Sequence, residues 1–438
     1  MSYAPYPAYK DSGVPWLGQV PDGWEVKPVK YVSTFNDEAL PETTDPELML
    51  NYVDISSVSL VEGIKKIEQV EFEKAPSRAR RVVREGDTIV STVRTYLKAI
   101  APIRNPVDNM IVSTGFAVIR PDQTMNPDFL GYFIQSEGFV GEVVSKSTGV
   151  SYPAINPGDL VAISGVRPPV EEQTAIADFL DKKTAEIDDL IAKKEELLRL
   201  LAEQRTALIT HAVTKGLNPN APMKPSGIGW IGDVPEGWSV APIGYRYEVQ
   251  LGRMLNAERA DGEHLRPYLR VLDVQWGSIN TKDLPRMDFP PEAQARYRLQ
   301  KGDLLVNEGG SYVGRSAIWR GELEECFYQK ALHRVRPLNP RKDSTEFLLL
   351  LMEVATKLGV FVAGGNQTTI DHLTAEKLRA QRFPFPPFKE QIRIADEVRK
   401  KAKRMAETAS KINQALENLR EYRSAVITNA VTGKIKVA

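Results

Sequence analysis

Apolar and polar residues follow two periods along this chain, and each period is used twice. Short apolar stretches bounded by Gly, Pro and Asn, such as Asp87-Thr-Ile-Val90, Gly115-Phe-Ala-Val-Ile119 and Gly302-Asp-Leu-Leu-Val306, predict strands joined by turns. Pro127 to Val144 and Ser344 to Val362 carry apolar residues at three- and four-residue intervals and predict helices. Two much longer helices follow Pro168-Pro169 and Pro386-Pro387 and run without Pro or Gly to Gly216 and Gly433. About 44 residues at about 1.5 Å each would make a rod of roughly 65 Å. In the first rod Leu180, Ile187, Lys194, Leu201 and Leu208 recur every seven residues. In the second Val398, Met405, Ile412, Leu419 and Val426 do the same, with Leu198 and Leu416 as companion apolar positions. The pattern predicts one coiled-coil seam shared by two helices, with Lys194 its one polar member.

The second half of the chain is a diverged copy of the first. KDSGVPWLGQVPDGWEVKP from Lys10 returns 214 residues later as KPSGIGWIGDVPEGWSVAP from Lys224. At an offset of 216, Tyr52 matches Tyr268, Arg80 matches Arg296, Gly86-Asp87 matches Gly302-Asp303, and Arg120-Pro121 matches Arg336-Pro337. At 218, RPPVEEQTAIADFL from Arg167 matches FPPFKEQIRIADEV from Phe385. So long a period makes the unit a whole domain with a connector, not a stacking repeat. The expected order is a mixed domain over 1–165, a long helix over 166–216, a second domain over 217–384 and a second long helix over 385–438. The fold class is α+β with an internal duplication. Antiparallel pairing of the two helices would hold the domains apart about an approximate twofold axis. Glu171 to Lys215 holds ten acidic and seven basic residues, and Lys389 to Lys436 six acidic and twelve basic. Opposite net signs favour pairing of the rods with each other; the alternative is that each folds back on its own domain.

Composition narrows the class. The chain's 438 residues, 42% of them hydrophobic, suffice for two or three cores. No apolar run approaches a membrane span, and MSYAPYPAYK lacks a signal peptide's regions, so a cytoplasmic protein is expected. One cysteine, Cys326, excludes an internal disulfide, and with four histidines structural zinc is not expected. Catalytic patterns are equally thin. Phe385-Pro-Pro-Phe388 replaces the polar residue that an adenine methyltransferase needs, and no Gly-rich phosphate cradle follows a strand. No catalytic or metal-ligating residue is assigned.

DSGVPWLGQVPDGW, then GDTIVSTVR with VSTGFAVIRP, and above all RPPVEEQTAIADFLDKKTAEIDDLIAKKEELLRLLAEQRTALITHAVTKG resemble the specificity subunits of type I restriction-modification systems. The resemblance covers the whole chain in the order target recognition domain, helix, target recognition domain, helix. It implies a non-catalytic subunit that reads a bipartite, asymmetric site on double-stranded DNA with two α/β recognition domains. It also implies two adenine methyltransferase subunits as partners, joining the exposed rod faces, and restriction subunits beside them. Cofactors would then lie outside this chain, S-adenosylmethionine in the methyltransferase and ATP with Mg in the restriction subunit. A protein-binding scaffold with a coiled-coil spacer is the alternative.

Net charge is zero, so any DNA face must be local. Ile64 to Arg104 holds ten basic and five acidic residues, including Lys65, Lys66, Arg78, Arg81, Arg94 and Lys98. Arg94 follows a predicted strand in Ser91-Thr-Val-Arg-Thr-Tyr96, where hydroxyls suit phosphates and a guanidinium suits guanine. Its counterpart is Gly310, which speaks for a role that differs between the halves. Lys146 lies in the polar loop Ser145-Lys-Ser-Thr-Gly149, and Asn366 and Gln367 in the matching loop could pair an adenine edge. Arg253, Arg259, Arg296, Arg298, Arg315, Lys330 and His333 are the second-domain candidates, in a stretch of fourteen basic and twelve acidic residues, and Arg296, which matches Arg80, suits the fold or a phosphate more than base reading. For each, a solvated surface side chain is the competing explanation. Trp16, Trp24, Trp230 and Trp238 repeat beside Gly and Pro, as core residues do.

Overall fold

The computed structural model describes residues 4–254, 260–361 and 372–437. The chain divides into two compact units, Met1–Glu195 with Asn413–Ala438, and Glu196–Ile412. Each mixes sheet and helix, and each takes part of both long helices, Val170–Lys215 and Phe388–Val431.

The first unit is built on an antiparallel sheet in the order Ile100–Pro102, Thr88–Ser91, Phe116–Pro121, Ser33–Phe35. One face packs on the helices Pro127–Gln135 and Glu137–Ser145 and on the long helices, burying Phe129, Phe133, Ile176, Leu180, Ile427 and Val431 in one core. A second sheet runs Glu68–Glu71, Met49–Val53, Met110–Ser113, Ala79–Val82, its central pair parallel. The stretch read as one helix from Pro127 is broken at Ser136, whose hydroxyl donates to the Phe133 carbonyl at 2.6 Å. Trp24 is buried, its indole N–H donating to Glu172 at 3.0 Å, and Trp16 lies against Phe133.

In the second unit the antiparallel sheet runs Ser316–Ile318, Leu304–Asn307, Leu332–Pro337, Tyr247–Leu251. Beside it Arg286–Asp288, Leu265–Leu269 and Phe327–Tyr328 pair, the last two in parallel. Here the units part company. Where the first has the strand Ala79–Val82, the second has the helix Pro291–Tyr297, so Arg80 stands on a strand and its sequence match Arg296 on a helix.

Two interactions recur. Asp87, at the start of the central strand, accepts a two-pronged hydrogen bond from Arg120 at 2.8 Å on each oxygen. Asp303 accepts the same from Arg336 at 2.6 and 2.7 Å. The repeated Gly-Asp and Arg-Pro pairs are thus partners across neighbouring strands, with the carboxylates buried. The other is a glutamine in the first turn of each long helix, fully buried in both units. Gln173 accepts the Asn126 N–H at 2.7 Å and donates to the carbonyls of Thr124 and Pro168 at 3.1 and 2.8 Å. Gln391 accepts the Ser344 N–H at 2.8 Å and donates to Lys342 and Pro386 at 3.1 and 2.8 Å.

Within the first unit, Arg423 bonds Asp188 and Arg420 bonds Glu195, each at 2.8 Å. Numbers that rise in one helix against a fall in the other mean that these segments run antiparallel. Of the seam positions, Leu180, Ile187, Val398, Ile412 and Val426 are buried, whereas Leu201, Leu208, Met405 and Leu419 are half-buried, as is Lys194. At or just past the end of each helix a lysine closes the fold. Lys434 donates to the carbonyls of Leu17 and Gln19, and Lys215 to those of Ile231 and Asp233.

Replacing Gln173 by Ala leaves a buried N–H and two carbonyls without partners, an expected loss of about 2–4 kcal/mol read from urea unfolding. Cys326 is 1% exposed, and burial pushes its thiol up to about 12. The native chain should therefore resist a thiol reagent at pH 8 that labels it fully once unfolded.

Candidate nucleic-acid interface

In the first unit the strand Thr88–Ser91 ends in a loop whose own hydrogen bonds shape it. Thr92 donates through its N–H and its hydroxyl to Gly115 O at 2.8 and 2.9 Å. A 3-10 turn follows over Thr95–Leu97, flanked by Arg94 at φ 51° and Lys98 at φ 52°. Both basic residues hold the left-handed conformation that favours glycine. Their sequence matches in the second unit are Gly310 at φ 69° and Gly314 at φ 76°. The backbone bend is thus common to both units, and only the first carries cations on it.

The loop 145–154 is brought against this turn. Thr95 and Ser147 share a hydroxyl hydrogen bond of 2.7 Å, and Val93 and Thr148 both pair with Ala154. Arg94 lies over the Tyr152 ring at 4.7 Å. The result is one exposed patch formed by Arg94, Lys98 and Lys146 with the rings and apolar tips of Tyr96, Leu97, Val150 and Tyr152. Cations beside exposed aromatic faces suit phosphate contact, stacking and base-edge hydrogen bonding. Tyr152 and Val150 escaped the sequence reading because no periodicity marks a loop. The Tyr after Ser151 was the available signal.

The remaining first-unit candidates are engaged with neighbouring groups. Arg78 is engaged, its Nε donating to Tyr52 at 3.2 Å and Nη2 to Asp54 at 2.8 Å, and the Tyr52 bond holds it above its ordinary value. Arg81 is half-buried, reaches the Asn36 carbonyl at 3.4 Å, and burial lowers it. Lys65 and Lys66 are exposed and paired with Glu62 at 3.0 Å and Glu68 at 3.8 Å.

In the second unit a bridge between Arg253 and Gln329 brings Arg253 beside Lys330, whose N–H donates to the Arg253 carbonyl at 2.8 Å. Arg253 also reaches the Asp288 carbonyl at 3.1 Å and lies over Phe289. Arg315 covers the Tyr312 ring at 4.3 Å and donates to Gln275. Arg298 donates to the Glu324 carbonyl at 3.0 Å. Arg259, Asn366 and Gln367 lie outside the described residues. His333 is buried on the sheet, with Nε2 at 2.6 Å from the Leu373 carbonyl, and burial lowers its pKa. Among the described residues no group of three or more His, Cys, Asp or Glu could hold a metal ion, and no helix is long and apolar enough to cross a membrane.

Residues 236–418 match the family described as Type I restriction modification DNA specificity domain. The chain is 21% identical to the EcoKI specificity subunit of Escherichia coli, covering 95% of this chain and 90% of that one. It is 20% identical to the StySPI specificity subunit of Salmonella potsdam over the same shares. By residues 236–418 the chain carries a type I restriction-modification DNA specificity domain, and over 95% of its length it is similar to a specificity subunit. The fold agrees with two solved structures. One is a chain from a structure of type I R-M complex assembly and conformational transition, with TM-score 0.76, 23% identity and coverage of 94% and 98%. The other is the HsdS subunit from Thermoanaerobacter tengcongensis, with TM-score 0.58, 23% identity and coverage of 95% and 98%.

The two first-unit loops should depend on each other. Replacing Thr95 by Val removes the bond to Ser147, and amide hydrogen exchange over 145–154 should quicken while the core is unchanged.

Proposed function

We propose that this chain is the DNA-reading subunit of a type I restriction-modification complex, recognising a bipartite, asymmetric duplex site with one half-site per recognition domain. The observation that carries the reading is the pair of left-handed cations. An L-residue in that conformation costs roughly 1–2 kcal/mol of local strain. Arg94 and Lys98 hold it where the second unit uses Gly310 and Gly314 for the same bend. Their side chains, not the bend, account for their presence, and the two units therefore present different chemistry to the duplex.

The duplication supports a pseudo-twofold molecule whose paired helices set the spacing between half-sites. Two adenine methyltransferase subunits dock on exposed faces of those helices, where Leu197 and Leu200 are 44% and 46% exposed. Restriction subunits join the same complex. This subunit carries no cofactor. S-adenosylmethionine belongs to the methyltransferase and ATP with Mg to the restriction subunit, and the complex works in the cytoplasm.

Mapping methylated adenines in DNA from cells that express this chain with its methyltransferase should reveal two unlike half-motifs at fixed spacing. A single continuous motif would overturn the proposal. Adding one helical turn beside Thr210 should change the unspecified spacer; an unchanged spacer counts against the ruler role. Replacing Arg94 by Gly should leave the melting temperature equal or higher, since strain is relieved. The same change should weaken duplex binding roughly five- to 150-fold, about 1–3 kcal/mol, and relax base preference in one half-site alone. A scaffold that binds only proteins would show neither sequence preference nor a steep fall of duplex affinity with salt.

A further inference from the structure

The second unit holds a cavity of about 550 Å³ with four guanidinium groups on its wall, from Arg296, Arg334, Arg336 and Arg379. Arg334 and Arg336 alternate along the strand Leu332–Pro337 and so share one face. Across the ladder Arg334 stands opposite Gln250 and Arg336 opposite Glu248 on the edge strand. Arg296 enters from the helix Pro291–Tyr297 and Arg379 from the helix Ala375–Ala380.

The charges do not cancel. Arg336 is matched by Asp303, which holds it at 2.6 and 2.7 Å. Arg334 is matched by Glu248 at 2.8 Å, and also donates to Gln250 Oε1 at 2.6 Å and to the Arg296 carbonyl at 3.0 Å. Arg379 bonds the Val249 carbonyl at 2.6 Å and, among the described residues, is paired with a single carboxylate, the exposed Glu376 at 3.9 Å. Arg296 lies over its neighbour Tyr297 at 5.4 Å.

Among the described residues, two donors in this wall have no acceptor. The Nε of Arg334, on a residue 3% exposed, lacks a partner, and so does Nε2 of Gln250. A buried donor without an acceptor is costly, and two beside a cationic cavity suit an anion. Donors arrive from the sheet and from two helices, so the anion needs oxygens in more than one plane. A tetrahedral phosphoryl group meets that need, and a planar carboxylate does not. At the 216-residue offset the first unit has Val118 in place of Arg334, buried in an apolar core, so the arginine is particular to the second unit.

We infer that this pocket binds a phosphoryl group, supplied by the duplex backbone or by a free phosphate compound. The first source rests on the function proposed above and the second does not. The edge strand Tyr247–Leu251 ends two residues before Arg253, which lies over Phe289, close before the helix that carries Arg296. That continuity places the pocket beside the interface candidates of its own unit.

The test titrates inorganic phosphate with the full chain in chloride buffer and follows phosphorus-31 line broadening. Saturable binding is expected, weakened at least about tenfold by the double change Arg296→Gln with Arg379→Gln, whose sites are both exposed. Arg334→Val, which installs the first unit's residue, should abolish it; melting curves show which variants fold, and Arg296→Gln alone serves if the double variant does not. Absence of saturable binding, or equal binding by the folded variants, overturns the proposal. Duplex affinity against salt then identifies the source. A slope smaller by about 0.9 per lost contact assigns the backbone. An unchanged slope with phosphate binding lost assigns a free compound. Phosphate binding by a chain that binds no duplex would uphold the pocket and remove the DNA reading.

Discussion

Each long helix is tied to its domain by one buried glutamine, and the rest of each unit depends on that tie. Gln173 and Gln391 take an N–H from the start of a domain helix, give one bond to the residue two positions before it, and give another to the Pro-Pro turn that leads into the long helix. A helix held by apolar contacts alone can slide or roll, because burial has no direction. Three hydrogen bonds in a dry site remove that freedom, since any shift strands a donor. The surfaces of a unit are thereby held in fixed relation to its helical segments, in the first unit with the help of the Trp24–Glu172 bond.

The Asp87–Arg120 and Asp303–Arg336 pairs do a similar task inside the sheets. Each joins the start of one strand to the end of its neighbour and so holds the register of the ladder. Such buried pairs give direction more than net stability. What the sheets then carry differs. The bend after the central strand is built with Arg94 and Lys98 in one unit and with Gly310 and Gly314 in the other. A shared backbone with unshared side chains is how one fold can present two chemistries, and the zero net charge of the chain is compatible with it because the cations are concentrated locally.

Pattern reading succeeded where the physics is local. Proline-bounded heptads define the two long helices to within a few residues, and the strands at Thr88–Ser91, Phe116–Pro121 and Leu304–Asn307 fall where apolar runs end in turn residues. It failed where partners come from afar. Gln173 looks like any polar residue on a helix, and its importance comes from Thr124 and Asn126, about fifty positions earlier. Arg80 and Arg296 match in sequence, yet a strand meets a helix there, because Pro290-Pro291 starts a helix that the first half lacks. Arg94 was singled out by its mismatch with Gly310, whereas its neighbours Tyr152 and Val150 went unseen because loops have no period.

Order along the chain alone marks a protein of mixed helix and sheet with two long helices, and points to specificity subunits, because periodicity and repeated motifs are properties of that order. Tertiary structure decided which repeated residues are partners, which arginines are engaged by carboxylates, and which face a cavity with donors still unpaired. Those are properties of distance in space, and a hydrogen bond near 3 Å between residues far apart in order leaves no mark in the order itself.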